Sequence, residues 1–138
     1  KDIEGYAGTA AGFPIIADEG LAVSKAFDML PAEAYMPDGR TPADSATVRS
    51  VFVIGPDKKV KLKIEYPAST GRNFNEVLRV IDSLQLTAKH QVATPVNWEN
   101  GDDVIIAGSV SNDAAKAKYP QGWKEPKPYL RIIPQPRD

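Results

Sequence analysis

Two arginines carry the chemical suggestion in this chain. Arg72 lies in "PASTGRNFNEV", between a Ser-Thr-Gly turn and the start of an amphipathic segment. A helix N-terminus is electropositive, so an arginine there is mildly unfavourable unless something negative meets it. The same N-terminus offers free backbone N–H groups to anions, so Ser69, Thr70, Gly71 and Arg72 could frame an anion pocket. The local alternative is a solvated turn arginine, since exposed pairs are worth little. Arg49 lies in "TVRSVFVIG". Strand alternation sets Arg49, Val51 and Val53 on one face and Val48, Ser50, Phe52 and Ile54 on the other. A guanidinium in line with two valines is costly if buried without a partner. Its alternative is an arginine at a strand end, reaching solvent or a structural carboxylate.

Other reactive residue types are thin. The chain has no cysteine, so it holds no disulfide, thiolate ligand or thiol nucleophile. The one histidine, His90, falls in a polar stretch where a solvent-facing position is expected. No cofactor or metal site is expected. Asp57 follows Gly-Pro and reads as a turn residue. Asp102 and Asp103 flank an Asn-Gly turn and read as solvated carboxylates. Trp98, Trp123 and Tyr129 are scattered and read as anchors of a small core. No P-loop, dinucleotide fingerprint, serine elbow or zinc pattern occurs.

The elements that must position these residues follow from hydrophobic pattern. "KDIEGYAG" resembles the last turns of a helix ended by glycine, and the chain looks cut from something longer. "FPIIADEG", Phe13 to Gly20, reads as a short strand and turn. "LAVSKAFDML", Leu21 to Leu30, reads as a helix stopped by Pro31, and Pro31 to Ala46 as a long loop. Thr47 to Gly55 and Val60 to Pro67 form an expected antiparallel pair around "GPDKK". Asn73 to Leu86 repeats apolar residues at Phe74, Val77, Leu78, Ile81 and Leu84, with Asn73 as cap and Glu76 three residues on. "TAKHQVATP" reads as a linker. Two short strands are expected around Asn100-Gly101, a short helix over Ser111 to Lys118, and a strand over Tyr129 to Ile133 in an extended tail. Two strands followed by a packed helix are an α+β arrangement.

Composition narrows the function class. The 138 residues suit one domain, or a small domain with an appendage. The 17 basic and 18 acidic residues give net charge -1, so electrostatics favours neither nucleic acid nor an anionic membrane. No apolar run approaches a membrane span. No secretory signal is seen, and the cytoplasm is the expected compartment.

The blocks "FPIIAD", "VRSVFVIGPDKKVKLKIEYPASTGRNFNEVLRVIDSLQLT", "VATPVNWENGDDVII" and "YLRIIPQP" together resemble the 1-Cys peroxiredoxins of the peroxiredoxin-6 type. The resemblance implies a partial thioredoxin-like domain over residues 1–88 and a C-terminal dimerisation domain over 89–138. It implies an enzyme that reduces hydrogen peroxide and organic hydroperoxides with a cysteine thiolate and is regenerated by a thiol reductant. That cysteine belongs to a Pro-x-x-x-Thr-x-x-Cys segment which this chain does not contain. By resemblance, Arg49 is the arginine that lowers the thiolate pKa and steadies the peroxide oxygens. Arg72 resembles a second arginine near that site. Asp57 matches an aspartate assigned to a phospholipase triad in some members. A homodimer, or association with a missing N-terminal half, is expected. The alternative is a dimerisation and capping module without catalysis of its own.

Overall fold

Asn73 and the apolar spacing after it organise the longest element of the computed structural model, which describes residues 2–30 and 46–137. The Asn73 side chain accepts from the Glu76 N–H and caps α3, Phe74–His90. Glu76 and Arg79 then pair one turn apart, at 2.6 and 2.8 Å. The helix runs through Thr87, Ala88, Lys89 and His90, residues expected to be linker, and ends with Gln91 in the left-handed region. No proline or glycine interrupts that stretch, and helical propensity carries it on until the cap.

The expected antiparallel pair is present as β1, Arg49–Ile54, and β2, Val60–Tyr66. Its loop closes through Gly55 N–H to Lys59 O at 2.9 Å and Lys58 N–H to Gly55 O at 2.9 Å. A side chain at position 55 would oblige the Lys61 and Asp57 side chains to shift. A Cβ there would stand 2.6 Å from Lys61 Cε and 2.8 Å from Asp57 Oδ1.

Ahead of the pair, α1, Asp2–Ala7, ends at Gly8 as its glycines suggest. Phe13 to Gly20 forms no strand, and Phe13, Ile15 and Ile16 are exposed. An apolar run needs a neighbouring strand to become one, and none pairs with it among the described residues. The expected helix over Leu21 to Leu30 shortens to α2, Ala22–Ala26. Asp18 fixes its start, accepting from Val23 N–H at 2.9 Å, Ser24 N–H at 2.8 Å and Ser24 Oγ–H at 2.6 Å. These three bonds to the charged form hold the Asp18 carboxyl below its ordinary pKa. The expected loop from Pro31 lies outside the described residues up to Ser45.

The C-terminal sheet has the order β3-β4-β6-β5, from Val92–Ala93, Val104–Ile106, Leu130–Ile133 and Lys124–Lys127. Its three pairings are antiparallel. The Asn-Gly turn lies between two adjacent antiparallel strands as expected, but it does not join them as a tight hairpin. The partner of β4 is β3, several residues further back, with Val92 opposite Ile106. Gly101 takes φ +111° while Asn100 keeps a negative φ. This is the glycine position of a type II turn, not the type I′ turn of a tight hairpin. β5 was not visible in the sequence. It is a fully exposed edge strand containing Pro126, and an edge is where a sheet tolerates proline.

Val92, Trp98, Val104, Ile106, Ala115 and Ile133 form one buried cluster, closed by α4, Asn112–Lys118, which Ser111 caps through the Ala114 N–H. Trp98 is 1% exposed, and its indole N–H reaches Asp102 O at 3.3 Å. Trp123 packs against the cluster, whereas Tyr129 is 81% exposed and anchors nothing. Arg131 shares the inward face of β6 with Ile133. Its guanidinium donates to Asn112 Oδ1, Ala107 O and Val110 O and stacks 5.9 Å from the Trp123 ring centre. Helix α3 is tied to this sheet by Arg79 to Trp98 O at 3.3 Å and by the Ser83–Thr94 hydroxyl pair at 2.7 Å.

The chain divides into two compact units. One is Lys1–Ser50 with Glu65–Thr70, and the other is Val51–Ile64 with Gly71–Asp138.

Candidate functional site

Arg49 opens β1 in the first unit, and its neighbours there define its chemistry. The side chain is half-buried, as expected of a cation at a strand end. Its Nη1 donates to Thr70 O at 3.1 Å. That carbonyl belongs to the Ser-Thr-Gly turn, itself closed by Thr70 N–H to Pro67 O at 2.9 Å. One strand residue along, Ser50 donates its hydroxyl to Glu65 at 3.2 Å. The structural carboxylate allowed for by sequence therefore falls to Ser50. Arg49 is held by a neutral carbonyl. A guanidinium has five N–H donors in a planar fork, and one contact to a carbonyl orients it without cancelling its charge.

Arg72 belongs to the second unit, just ahead of the Asn73 cap of α3. It is exposed and has no side-chain partner among the described residues. The acid that the helix N-terminus favours is Glu76 in the first turn, whose carboxyl the Arg79 hydrogen bonds hold below its ordinary pKa.

The remaining candidates resolve into structure. Asp57 accepts from Lys61 Nζ at 2.7 Å and from Lys59 N–H at 3.2 Å. The lysine bond, above all, lowers its pKa. This is a turn carboxylate inside its own hairpin loop. His90 is half-buried, not solvent-facing, because α3 continues to it. Its backbone carbonyl accepts from Lys118 Nζ at 2.8 Å and from the Tyr119 hydroxyl at 3.3 Å. Asp102 closes its turn by accepting from Glu99 N–H, and Asp103 pairs with Lys124 at 3.2 Å. No group of metal-ligating side chains occurs among the described residues. No described helix is long and apolar enough to cross a membrane. The buried Arg131 was missed by sequence, although its place between Leu130 and Ile132 in an alternating strand put it in phase with Ile133.

The chain is similar to known proteins over nearly its whole length. Residues 83–122 match the C-terminal domain of 1-Cys peroxiredoxin. The chain is 46% identical to a 1-Cys peroxiredoxin of Dictyostelium discoideum, over 99% of its own length and 53% of the relative's. It is 56% identical to a mitochondrial peroxiredoxin of Saccharomyces cerevisiae, over 88% of this chain and 45% of that one. The chain thus spans about half the length of these relatives. A crystal structure of a cysteine-to-serine mutant of Arenicola marina peroxiredoxin 6 superposes with TM-score 0.84 at 45% identity, covering 99% of this chain and 63% of that one. The architecture is the α+β, thioredoxin-like arrangement of peroxiredoxins, carried here without a cysteine. On sequence and structure together, the chain matches the C-terminal part of the 1-Cys peroxiredoxins.

Proposed function

We propose that this chain supplies the arginine-bearing, cysteine-free part of a thiol peroxidase acting on hydrogen peroxide and organic hydroperoxides. The supporting observation is Arg49, half-buried and held on the Thr70 carbonyl with its charge uncancelled among the described residues. In such a reaction a thiolate sulfur attacks one peroxide oxygen. The O–O bond breaks, the sulfur becomes a sulfenic acid, and the leaving oxygen departs as hydroxide or alkoxide and takes a proton. A fixed guanidinium favours both the thiolate beforehand and the charge that moves onto oxygen. Arg49 has that role in this proposal, and Arg72 keeps the supporting role that the resemblance implies for it. The thiolate must come from polypeptide outside these 138 residues.

The proposed enzyme is a homodimer in the cytoplasm. A mitochondrial relative makes the mitochondrion the competing compartment, which subcellular fractionation separates. Its sulfenic acid is returned to the thiol by a small or protein thiol. A yeast relative resolves its thiol through glutathione/thioredoxin systems. Residues 1–88 are the thioredoxin-like part and 89–138 the dimerisation part in this division.

The test is hydroperoxide consumption in the presence of dithiothreitol. The chain alone should consume none. Adding a polypeptide that carries the cysteine-bearing half of a relative should restore turnover. Arg49→Ala should lower the restored rate by about 10²–10³-fold, the loss typical of one oxyanion-stabilising donor. Turnover by the lone chain would overturn the assignment of the nucleophile, and an unchanged rate in Arg49→Ala would overturn that of Arg49.

One observation favours a second reading. The core cluster from Val92 to Ile133 is complete without either arginine. A dimerisation and capping module with no catalytic contribution would need only that cluster. It predicts a dimer in sedimentation and no restored turnover on complementation.

A further inference from the structure

Asn100 and Gly101 are the central residues of the turn from Glu99 to Asp102. Asp102 N–H donates to Glu99 O at 3.0 Å, and Glu99 N–H to Asp102 Oδ2 at 3.0 Å. One side chain from the C-terminal segment clasps this turn from outside. Gln135 Oε1 accepts from Gly101 N–H at 2.6 Å, and Gln135 Nε2 donates to Asn100 Oδ1 at 2.7 Å. The two bonds fix each other's sense. A backbone N–H can only donate, so the Gln135 oxygen must face Gly101. Its NH₂ then faces Asn100, which must present oxygen.

The atoms so clasped belong to the two groups that react when an Asn-Gly pair deamidates. In that reaction the Gly101 nitrogen loses its proton and attacks Asn100 Cγ. A C–N bond forms, the bond from Cγ to the side-chain nitrogen breaks, and ammonia leaves with the proton. Water then opens the cyclic imide at either carbonyl, leaving aspartate or isoaspartate. Glycine after asparagine leaves the attack unhindered, and this is the chain's one Asn-Gly pair. In the observed turn the attacking N–H is committed to Gln135 and the Asn100 side chain is turned to the same partner. Deprotonating that nitrogen forfeits its hydrogen bond, and swinging Cγ toward it forfeits the other.

We propose that Asn100-Gly101 is a site of spontaneous deamidation latched by the Gln135 side chain, so that docking of the C-terminal segment sets its rate. The consequence of opening is structural. Isoaspartate lengthens the main chain by one methylene, beside a turn whose Asp102 carbonyl receives the indole N–H of buried Trp98. Either product adds a negative charge next to Glu99, Asp102 and Asp103.

The experiment ages the full chain at mildly alkaline pH and follows deamidation at position 100 by intact mass and peptide mapping, in buffer and in urea. In buffer the chain should react on the order of ten-fold more slowly than in urea, the scale of one or two hydrogen bonds. Gln135→Ala should lose most of that protection while reacting at the same rate in urea. Gln135→Glu, which keeps an acceptor for Gly101 but no donor for Asn100, should fall between. Equal rates for Gln135→Ala and the unaltered chain in buffer would overturn the proposal. Should Gln135→Ala unfold, the Gly101 amide of the unaltered chain is read by hydrogen exchange. Protection there supports the latch, and exchange at the rate of an open turn overturns it.

Discussion

The sheet from Val92 to Ile133 and the N-terminal half of α3 are built from the same kinds of apolar residue and end in opposite states. The sheet buries Trp98, Val104 and Ile106 to 2% exposure or less, and even its inward arginine is satisfied. Helix α3 repeats its apolar residues as regularly, yet none of its side chains is fully buried, and Phe74 and Leu78 are 66% and 61% exposed. Amphipathic spacing states which face wants cover. Whether cover exists depends on a partner element, and the sheet finds its own while the start of α3 does not among the described residues.

The contrast places the largest losses in the sheet. Trp98→Ala should cost about 3–5 kcal/mol, since it removes a fully buried indole and leaves a cavity in the cluster. Urea denaturation measures it, and a loss below 1 kcal/mol would mean the cluster collapses around the gap or was never tight. Arg131→Ala follows, at about 2–4 kcal/mol, because it strands the Ala107 and Val110 carbonyls and the Asn112 amide oxygen without their donor. Arg131→Met should lose a similar amount, since it restores the packing and not the bonds. Near-full recovery in Arg131→Met would show that the stem of Arg131 matters more than its charge.

Legibility followed the same divide. The hairpin, α3 and α4 were readable because alternation, heptad-like spacing and Ser or Asn caps are local signals. The apolar run Phe13 to Gly20 looked like a strand, but strand formation is a pairing event and no pattern within the run names its partner. The error at Asn100-Gly101 has the same origin. The dipeptide marks a turn correctly, yet the strand paired with β4 lies back at Val92, beyond the buried Trp98. β5 was hidden because "KEPK" has no apolar face to alternate, its role being to cover an edge. Of the site, sequence located Arg49 at a strand start, but not the Thr70 carbonyl that holds it, since that contact joins residues far apart in the chain. The role proposed for Arg49 rests on the resemblance to a family, and local physics left it open.

A small effect tests the comparison from the other side. Leu78→Ala should change the stability of this chain by no more than about 0.5 kcal/mol, because a mostly exposed leucine loses little on truncation and alanine favours the helix. Repeating the measurement with the cysteine-bearing half of a relative added should raise the cost several-fold if that polypeptide covers the face. An unchanged small cost in the mixture would leave the apolar start of α3 without a role in that assembly.

The smallest effect is a pH dependence at the start of α2. Asp18 accepts three hydrogen bonds in the folded state, led by the Ser24 hydroxyl, and its pKa is lowered there. A group with a lowered folded pKa stabilises fully above its unfolded value, near 4, and the contribution fades as pH falls through the folded value. Unfolding midpoints between pH 7 and pH 3 should therefore fall more steeply for the unaltered chain than for Asp18→Asn, which keeps one of the two acceptor oxygens and cannot titrate. Ser24→Ala should flatten the difference by removing the leading bond. Parallel curves for all three proteins would mean that the Asp18 bonds do not persist in solution, and α2, five residues long, would then have no fixed start.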